Sequence, residues 1–139
     1  MYKKILLPVD GSENAVLACR HAIALAKMSN MEIVLLNCYG ELSARIGGAA
    51  RQQIIATLED EGKGFLAPCE QLCKESDVKC KSLIRGGSPD RAIIQVTQDE
   101  GCDIIVMGSR GRSNLAGMVL GSVTHQVLRH STIPVLVVR

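Results

Sequence analysis

The chain has 139 residues, 47% of them hydrophobic and 22% charged, and its formal net charge is +2. This length suits one well-buried domain over residues 1–139, and the near balance of 16 basic and 14 acidic residues excludes the broad basic surface of non-specific nucleic-acid binders, so no nucleic-acid partner is expected. No apolar run approaches the roughly 20 residues of a membrane span, and the apolar core of MYKKILLPVDGS is too short for a secretory signal, so we expect a cytoplasmic protein without a membrane partner.

The first third of the chain predicts a strand, a helix and a second strand. Residues 3–9 (KKILLPV) are rich in aliphatic side chains and end at a DGS turn, in which Ser12 can cap a following helix. Apolar residues then recur at three- and four-residue spacing up to about Ser29, on a stripe formed by Val16, Cys19, Ile23 and Ala26. Residues 31–39 (MEIVLLNCY) predict the second strand.

The middle of the chain is polar, and its boundaries are the hardest to predict. Residues 41–76 have a helical composition, so we expect a loose connection and then a helix that is kinked or begins late; the interrupting residues are Gly47, Gly48, Gly62, Gly64 and Pro68. Residues 77–86 (DVKCKSLIRG) form an alternating pattern, which predicts a strand with one less buried face, nearer a sheet edge. One face carries Val78, Cys80, Ser82 and Ile84, and the other carries Lys79, Lys81, Leu83 and Arg85.

The last third predicts two helices and two strands. Ser88 stands in a capping position and Pro89 at the first position of a helix that ends near Gly101. Residues 102–108 (CDIIVMG) form an almost uninterrupted apolar run, typical of a parallel strand covered on both faces. A helix over 122–130 and a strand over 133–139 complete the alternation. The fold class predicted is therefore α/β, with a doubly wound parallel sheet of five strands and helices on both faces.

A glycine-spaced segment joins the fourth strand to the last helix. It reads Gly108-x-x-Gly111, nine residues, then Gly121-Ser122. Ligands of such sheets bind outside the carboxyl ends of the strands, and a helix start attracts anions. Glycine lets a phosphate approach the main chain, and the segment should face Asp10 at the end of the first strand. The segment therefore predicts a phosphate site, although a merely flexible loop has the same composition.

Other polar residues carry weaker signals. Arg110 and Arg112 either add charge to the site or are solvated surface residues. GKGFLA at 62–67 fits a dinucleotide-binding pattern but does not follow a strand, and the P-loop pattern with its lysine is absent. The six cysteines suggest reduced thiols; Cys69 and Cys73, four residues apart, form either a packing pair or a metal or redox site. His125 and His130 show no ligand spacing, and we predict no metal-binding residues in the chain.

Taken together, these segments resemble the ATP-binding branch of the universal stress protein family. The resemblance is carried over nearly the whole chain by KKILLPVDGS, VLLNCY, GGSP, DIIVMGSRGRSNLAGMVLGSVTHQVL and PVLVV. It implies the strand order 3-2-1-4-5 and a homodimer formed through the exposed edge of Pro134–Arg139. Two departures are Asn37-Cys38 in place of the more frequent His-Val, and His125 where an acidic residue or glutamine is common.

The resemblance also implies roles for individual residues. Pro8, Val9 and Asp10 would lie against the ribose and adenine, and the main chain of Cys38 would read the adenine edge. Met107 and Gly108 would pack along the nucleoside. The residues implied to bind the phosphates are Gly111, Gly121, Ser122, Val123 and Thr124, with Arg110 as a possible source of added charge.

The implied ligand is ATP, with Mg²⁺ as its expected companion. Hydrolysis needs a positioned base, and the nearby carboxylate of Asp10 fits either a ribose contact or a Mg²⁺ held through water. We therefore expect a nucleotide-dependent regulatory or stress-response protein with weak or no ATP hydrolysis. The alternative is a dimeric stress-response interaction module whose nucleotide pocket is vestigial. A phosphoacceptor receiver domain suits the fold, but the paired acids after the first strand are missing.

Overall fold

The computed structural model describes residues 1–111 and 120–139, so the predicted role of Arg112 lies outside the described residues. Five strands alternate with four helices along these residues. In chain order they are β1 (Lys4–Pro8), α1 (Glu13–Ser29), β2 (Glu32–Cys38), α2 (Gly48–Glu75), β3 (Cys80–Arg85), α3 (Pro89–Glu100), β4 (Ile104–Gly108), α4 (Ser122–His130) and β5 (Val135–Val138).

The strands form one parallel sheet in the order β3-β2-β1-β4-β5. The predicted α/β fold and strand order are confirmed. β3 lies at an edge, as its alternating pattern predicts, and β5 lies at the opposite edge. The carboxyl ends of the central strands β1, β2 and β4 lie side by side, so the loops that follow them meet at one edge of the sheet.

The two faces of the sheet carry separate apolar layers. On one face, Ile5 and Leu7 of β1 pack with residues of α1 and α2, including Ala22 and Leu66. On the other face, Leu6 of β1 packs with residues of α3 and α4. Because successive strand residues point to opposite faces, the near-continuous apolar runs of β1 and β2 satisfy both layers.

The first helix is capped as predicted. Ser12 Oγ accepts a 3.1 Å hydrogen bond from the Ala15 N–H, and the helix ends at Asn30 in the left-handed conformation. The predicted capping position of Ser88 is also its position in the structure, but its side chain makes no capping hydrogen bond. Its hydroxyl instead donates to the Asp90 carboxylate, which lowers the pKa of Asp90.

The expected loose connection lies between β2 and α2, and α2 begins at Gly48, several residues into the polar segment that starts at residue 41. A kink at the interrupting residues stays a prediction. α2 is one helix of 28 residues that contains Gly62, Gly64 and Pro68. Pro68 is exposed, whereas Gly62 is buried where α2 packs closely on the side chain of Asn37. The composition identified residues that disfavour a helix, but their effect on α2 depends on the surroundings of each residue in the folded protein. Among the residues that the structure describes, no helix is long and apolar enough to cross a membrane.

Candidate functional site

A cavity of about 360 Å³ opens at the carboxyl edge of the sheet. Its walls contain all twelve residues that the sequence singled out: Pro8, Val9, Asp10, Cys38, Met107, Gly108, Arg110, Gly111, Gly121, Ser122, Val123 and Thr124. Five further lining residues were missed: Ser12, Ala15, Leu36, Pro89 and Ile93. Pro89 and Ile93 belong to α3, and the GGSP segment just before that helix was the available signal for them.

The loop after β1 holds the Asp10 carboxylate at the mouth of this cavity. Asp10 Oδ1 accepts a 3.0 Å hydrogen bond from the Ser12 N–H. The other oxygen, Oδ2, lies 2.7 Å from the position that a Cβ on Gly111 would occupy. Gly11 has a φ of +87°, and the ring of Phe65 on α2 packs directly on it. Both glycines are therefore required by the close approach of their neighbours.

The segment after β4 is held by side chains that donate to its carbonyls. Asn14 Nδ2 donates to the Arg110 carbonyl at 3.3 Å, and Thr124 Oγ1 donates to the Gly108 carbonyl at 2.9 Å. A Cβ on Gly108 would lie 3.1 Å from the Cβ of Asn14. Because the Thr124 hydroxyl is occupied and the residue is buried, this side chain positions the segment within the described structure.

The Gly121 N–H is also occupied, which changes how this glycine can serve a phosphate. It donates to the Ser109 carbonyl at 2.6 Å, so it is not an open donor. A Cβ on Gly121 would lie 3.5 Å from the Gly111 nitrogen. A side chain at 121 would therefore lie against the main chain at Gly111. In addition, the first N–H groups of α4, starting at Ser122, have no intrahelical acceptor by helix geometry and carry a partial positive charge.

Part of the cavity lining is apolar. Leu36, Ile93 and Met107 are buried there, and Cys38 is half-buried. Burial raises the pKa of the Cys38 thiol to about 11, against a smaller opposing effect of Arg85, so the thiol is neutral near pH 7. A lining that combines apolar side chains with glycine main chain and a helix start suits a ligand with an uncharged part and an anionic part.

Charged groups are few at this site. Asp10 is the one carboxylate among the described residues that line the cavity, and Arg110 is the one cation. His125 is exposed on α4 and is not among the lining residues described. Within residues 1–111 and 120–139, no three histidine, cysteine or acidic side chains are arranged to hold a metal ion.

The predicted pair Cys69 and Cys73 lies away from the cavity. Together with Cys19 of α1 and Cys80 of β3 it forms a group that we call the thiol cluster, packed between the two helices and the sheet. Cys19 Sγ lies 3.9 Å from the Cys69 carbonyl oxygen. All six cysteines are free thiols.

Comparison with known sequences gives consistent matches over the full chain. The profile of the Universal stress protein family matches residues 1–139. Universal stress protein MJ0577 of Methanocaldococcus jannaschii is 39% identical over 155 residues, covering 100% of this chain and 96% of the relative. Universal stress protein YxiE of Bacillus subtilis is 32% identical over 148 residues and is covered completely, as is this chain.

Solved structures agree with these sequence matches. The structure of MJ0577 has a TM-score of 0.90 and 37% sequence identity, covering 99% of this chain and 96% of that chain. A universal stress protein in complex with cAMP has a TM-score of 0.77 and 26% identity, covering 99% of this chain and 97% of that chain.

Proposed function

Because the chain belongs to the universal stress protein family, we propose that residues 1–139 form a single cytoplasmic domain that binds ATP, with Mg²⁺, at the carboxyl edge of the sheet. Its role would be regulatory, with nucleotide binding as the signal and little or no hydrolysis. The observation that carries this proposal is the convergence of twelve residues, drawn from separate parts of the chain, on one cavity.

The chemistry of the cavity supports a division of the ligand into two parts. The apolar side chains of Leu36, Ile93 and Met107 suit a purine ring, and the Asp10 carboxylate in the same lining suits a ribose hydroxyl. The Gly111 amide and the start of α4 receive the phosphates. The relative solved in complex with cAMP supports an adenine nucleotide as the ligand class.

The same residues favour binding over rapid hydrolysis. Phosphoryl transfer to water needs a group that orients the nucleophile and a cation that stabilises the transferring phosphoryl. Asp10 is the single carboxylate of the described lining, and one of its oxygens is already bound to the Ser12 N–H. The remaining oxygen, Oδ2, would serve either the ribose hydroxyl or a Mg²⁺ held through water beside the phosphates. We therefore expect turnover far below the roughly 1 to 10³ per second of ordinary enzymes.

A second candidate function is a dimeric stress-response interaction module with a vestigial pocket. It is favoured by the outer strand β5, where Leu136 is 40% exposed and no strand of the described residues pairs along the outer edge. We propose that Pro134–Arg139 of two copies pair along this edge, because an open strand edge otherwise invites uncontrolled association.

Nucleotide content separates the two functions. Freshly purified protein is denatured, and the supernatant is analysed for adenine nucleotide; calorimetric titration of nucleotide-free protein with ATP and Mg²⁺ follows. Bound nucleotide or saturable binding supports the nucleotide-dependent role. A stable dimer with neither result, measured by sedimentation, favours the interaction module instead.

A further inference from the structure

The carbonyl that ends the first strand is held by a side chain. Val9 directly follows β1, and its N–H continues the sheet by donating to the Leu36 carbonyl at 2.8 Å. Its own carbonyl accepts a 2.8 Å hydrogen bond from Asn37 Nδ2. Asn37 is a buried polar residue, 4% exposed. Both polar backbone groups of Val9 are therefore bound to β2.

The strand register identifies the donor that this side chain replaces. The Glu32 N–H donates to the Lys3 carbonyl just before β1, whereas the Tyr39 N–H donates to the Arg85 carbonyl of β3, so even-numbered amides of β2 face β1. Continuing the parallel pattern would give the Val9 carbonyl the Cys38 N–H as its next donor. Among the described residues that bond is not formed, and the Asn37 amide occupies the carbonyl instead.

We propose that Asn37 is a positioning residue that leaves the Cys38 backbone N–H available to a hydrogen-bond acceptor on the nucleobase. Cys38 lines the cavity, so an amide released there faces the ligand. The side-chain donor satisfies the buried Val9 carbonyl, which would otherwise recapture the main-chain amide. This inference rests on the proposed nucleotide function and deepens it, since it names the side chain that keeps the Cys38 amide from bonding within the sheet.

α2 keeps the Asn37 side chain in position. A Cβ on Gly62 would lie 2.6 Å from Asn37 Oδ1, so an added methyl group displaces the amide. Gly64 lies on the same helix and has nothing within 4 Å of its Cβ position. Gly62→Ala and Gly64→Ala therefore form a matched pair that differs in contact with Asn37.

Amide hydrogen exchange of the nucleotide-free protein tests the release directly. In Asn37→Ala the Val9 carbonyl becomes vacant, the Cys38 N–H takes it, and exchange at Cys38 slows about tenfold or more relative to the wild type. Gly62→Ala slows it as well, whereas Gly64→Ala leaves it unchanged. A Cys38 amide that is equally protected in the wild type and in Asn37→Ala overturns the inference.

Titration with AMP, ADP and ATP, without divalent cation, tests the link to the base. Asn37→Ala should weaken all three by the same factor, about tenfold, because the lost donor serves the part that they share. Thr97→Ala, which removes another buried polar side chain, controls for general destabilisation and should leave the affinities unchanged.

Two results of this titration overturn the inference: unchanged affinities in Asn37→Ala, or a loss that grows with the number of phosphates. If the wild type binds none of the three nucleotides, the proposed function fails. The exchange measurement still decides whether Asn37 withholds the Cys38 amide from the sheet, so the two failures are distinguishable.

Discussion

The cavity and the thiol cluster each bring polar or reactive side chains together, but the cavity is open to a ligand whereas the thiol cluster is buried. The cavity encloses about 360 Å³ where the chain leaves β1, β2 and β4. The thiol cluster lies between α1, α2 and the sheet, and three of its members, Cys19, Cys69 and Cys73, are 0% exposed. Both were marked by spacing in the sequence, one by glycines and the other by a pair of cysteines.

The difference shows what a strand end offers that a packed layer does not. Where strands end, the ladder of hydrogen bonds stops and main-chain donors are left for a ligand. Inside the helix–sheet layer, burial raises the pKa of Cys80 to about 12. The pKa of Cys19 is also raised, mainly by hydrogen bonding with Cys69 and Cys73 and to a smaller extent by burial. The hydrogen bond with Cys19 instead lowers the pKa values of Cys69 and Cys73, so enclosure rather than protonation keeps these two thiols from reacting. Since the described residues also contain no group of three side chains arranged to hold a metal ion, we interpret the thiol cluster as core packing.

The largest effect on nucleotide affinity is expected from a side chain placed against the main chain where we propose that the phosphates bind. Gly121→Val should weaken ATP binding by about a hundredfold or more, because its side chain shields the Gly111 amide and each hydrogen bond to a charged acceptor contributes about 1.5–3 kcal/mol. Gly121 has a φ of −70°, so the substitution is not strained and circular dichroism should stay near wild type. Titration of the variant and of Gly64→Ala measures this effect; wild-type affinity in Gly121→Val would move the phosphates elsewhere.

A substitution in the thiol cluster should have the opposite signature. Cys73→Ser places a hydroxyl in the apolar layer and should lower the free energy of unfolding by about 1–3 kcal/mol, with nucleotide affinity unchanged. Cys73→Ala provides the apolar control. Chemical denaturation measures stability, and calorimetry measures affinity in the same preparations. Weaker binding with unaltered stability would show that the cluster and the cavity are functionally connected.

Thiol alkylation sharpens the contrast, because Cys38 belongs to the cavity. With its pKa raised to about 11, Cys38 should react slowly at neutral pH, and its rate should rise about tenfold per pH unit up to that value. Saturating ATP should slow the reaction, again about tenfold, while the buried cluster thiols stay unmodified in the folded protein. Mass spectrometry of peptides from iodoacetamide-treated protein gives the rates. Rapid labelling of Cys69 under native conditions would contradict the closed cluster.

The smallest effect is expected at the opposite end of the sheet. Lys4 lies 3.2 Å from Glu32, and this contact lowers the pKa of Glu32 below its ordinary value of 4.5. A carboxylate whose pKa is lower in the folded state stabilises the folded protein at pH values above its unfolded-state pKa. This stabilisation is lost as the pH falls through the folded-state pKa. Glu32→Gln should therefore cost at most about 1 kcal/mol at pH 7, and the difference from wild type should shrink below pH 4.5. Urea unfolding at several pH values measures it, and a difference that grows in acid would contradict the sign.

Much of the site could be predicted because its signals are local. Apolar periodicity identified the elements. The resemblance supplied the strand order and named Asp10, Cys38 and Gly121, which line the cavity and whose roles stay a proposal. The second helix could not be bounded in this way, because Gly62 acts through its contact with Asn37 rather than through its propensity. Likewise, Pro89 and Ile93 reach the cavity because α3 crosses the sheet, a placement that residue spacing does not encode.

The sequence by itself determined the alternation of strand and helix and the glycine spacing after β4, since each depends on residues close together in the chain. It also determined the family, since short motifs along nearly the whole chain carry that resemblance. Only the tertiary structure decided which side chain holds which carbonyl. Asn37 and Val9 are 28 positions apart, and Asn14 and Arg110 are 96 positions apart. Such bonds form because the parallel sheet brings the carboxyl ends of its strands to one edge, where any remaining donor is left to a ligand or to a distant carbonyl.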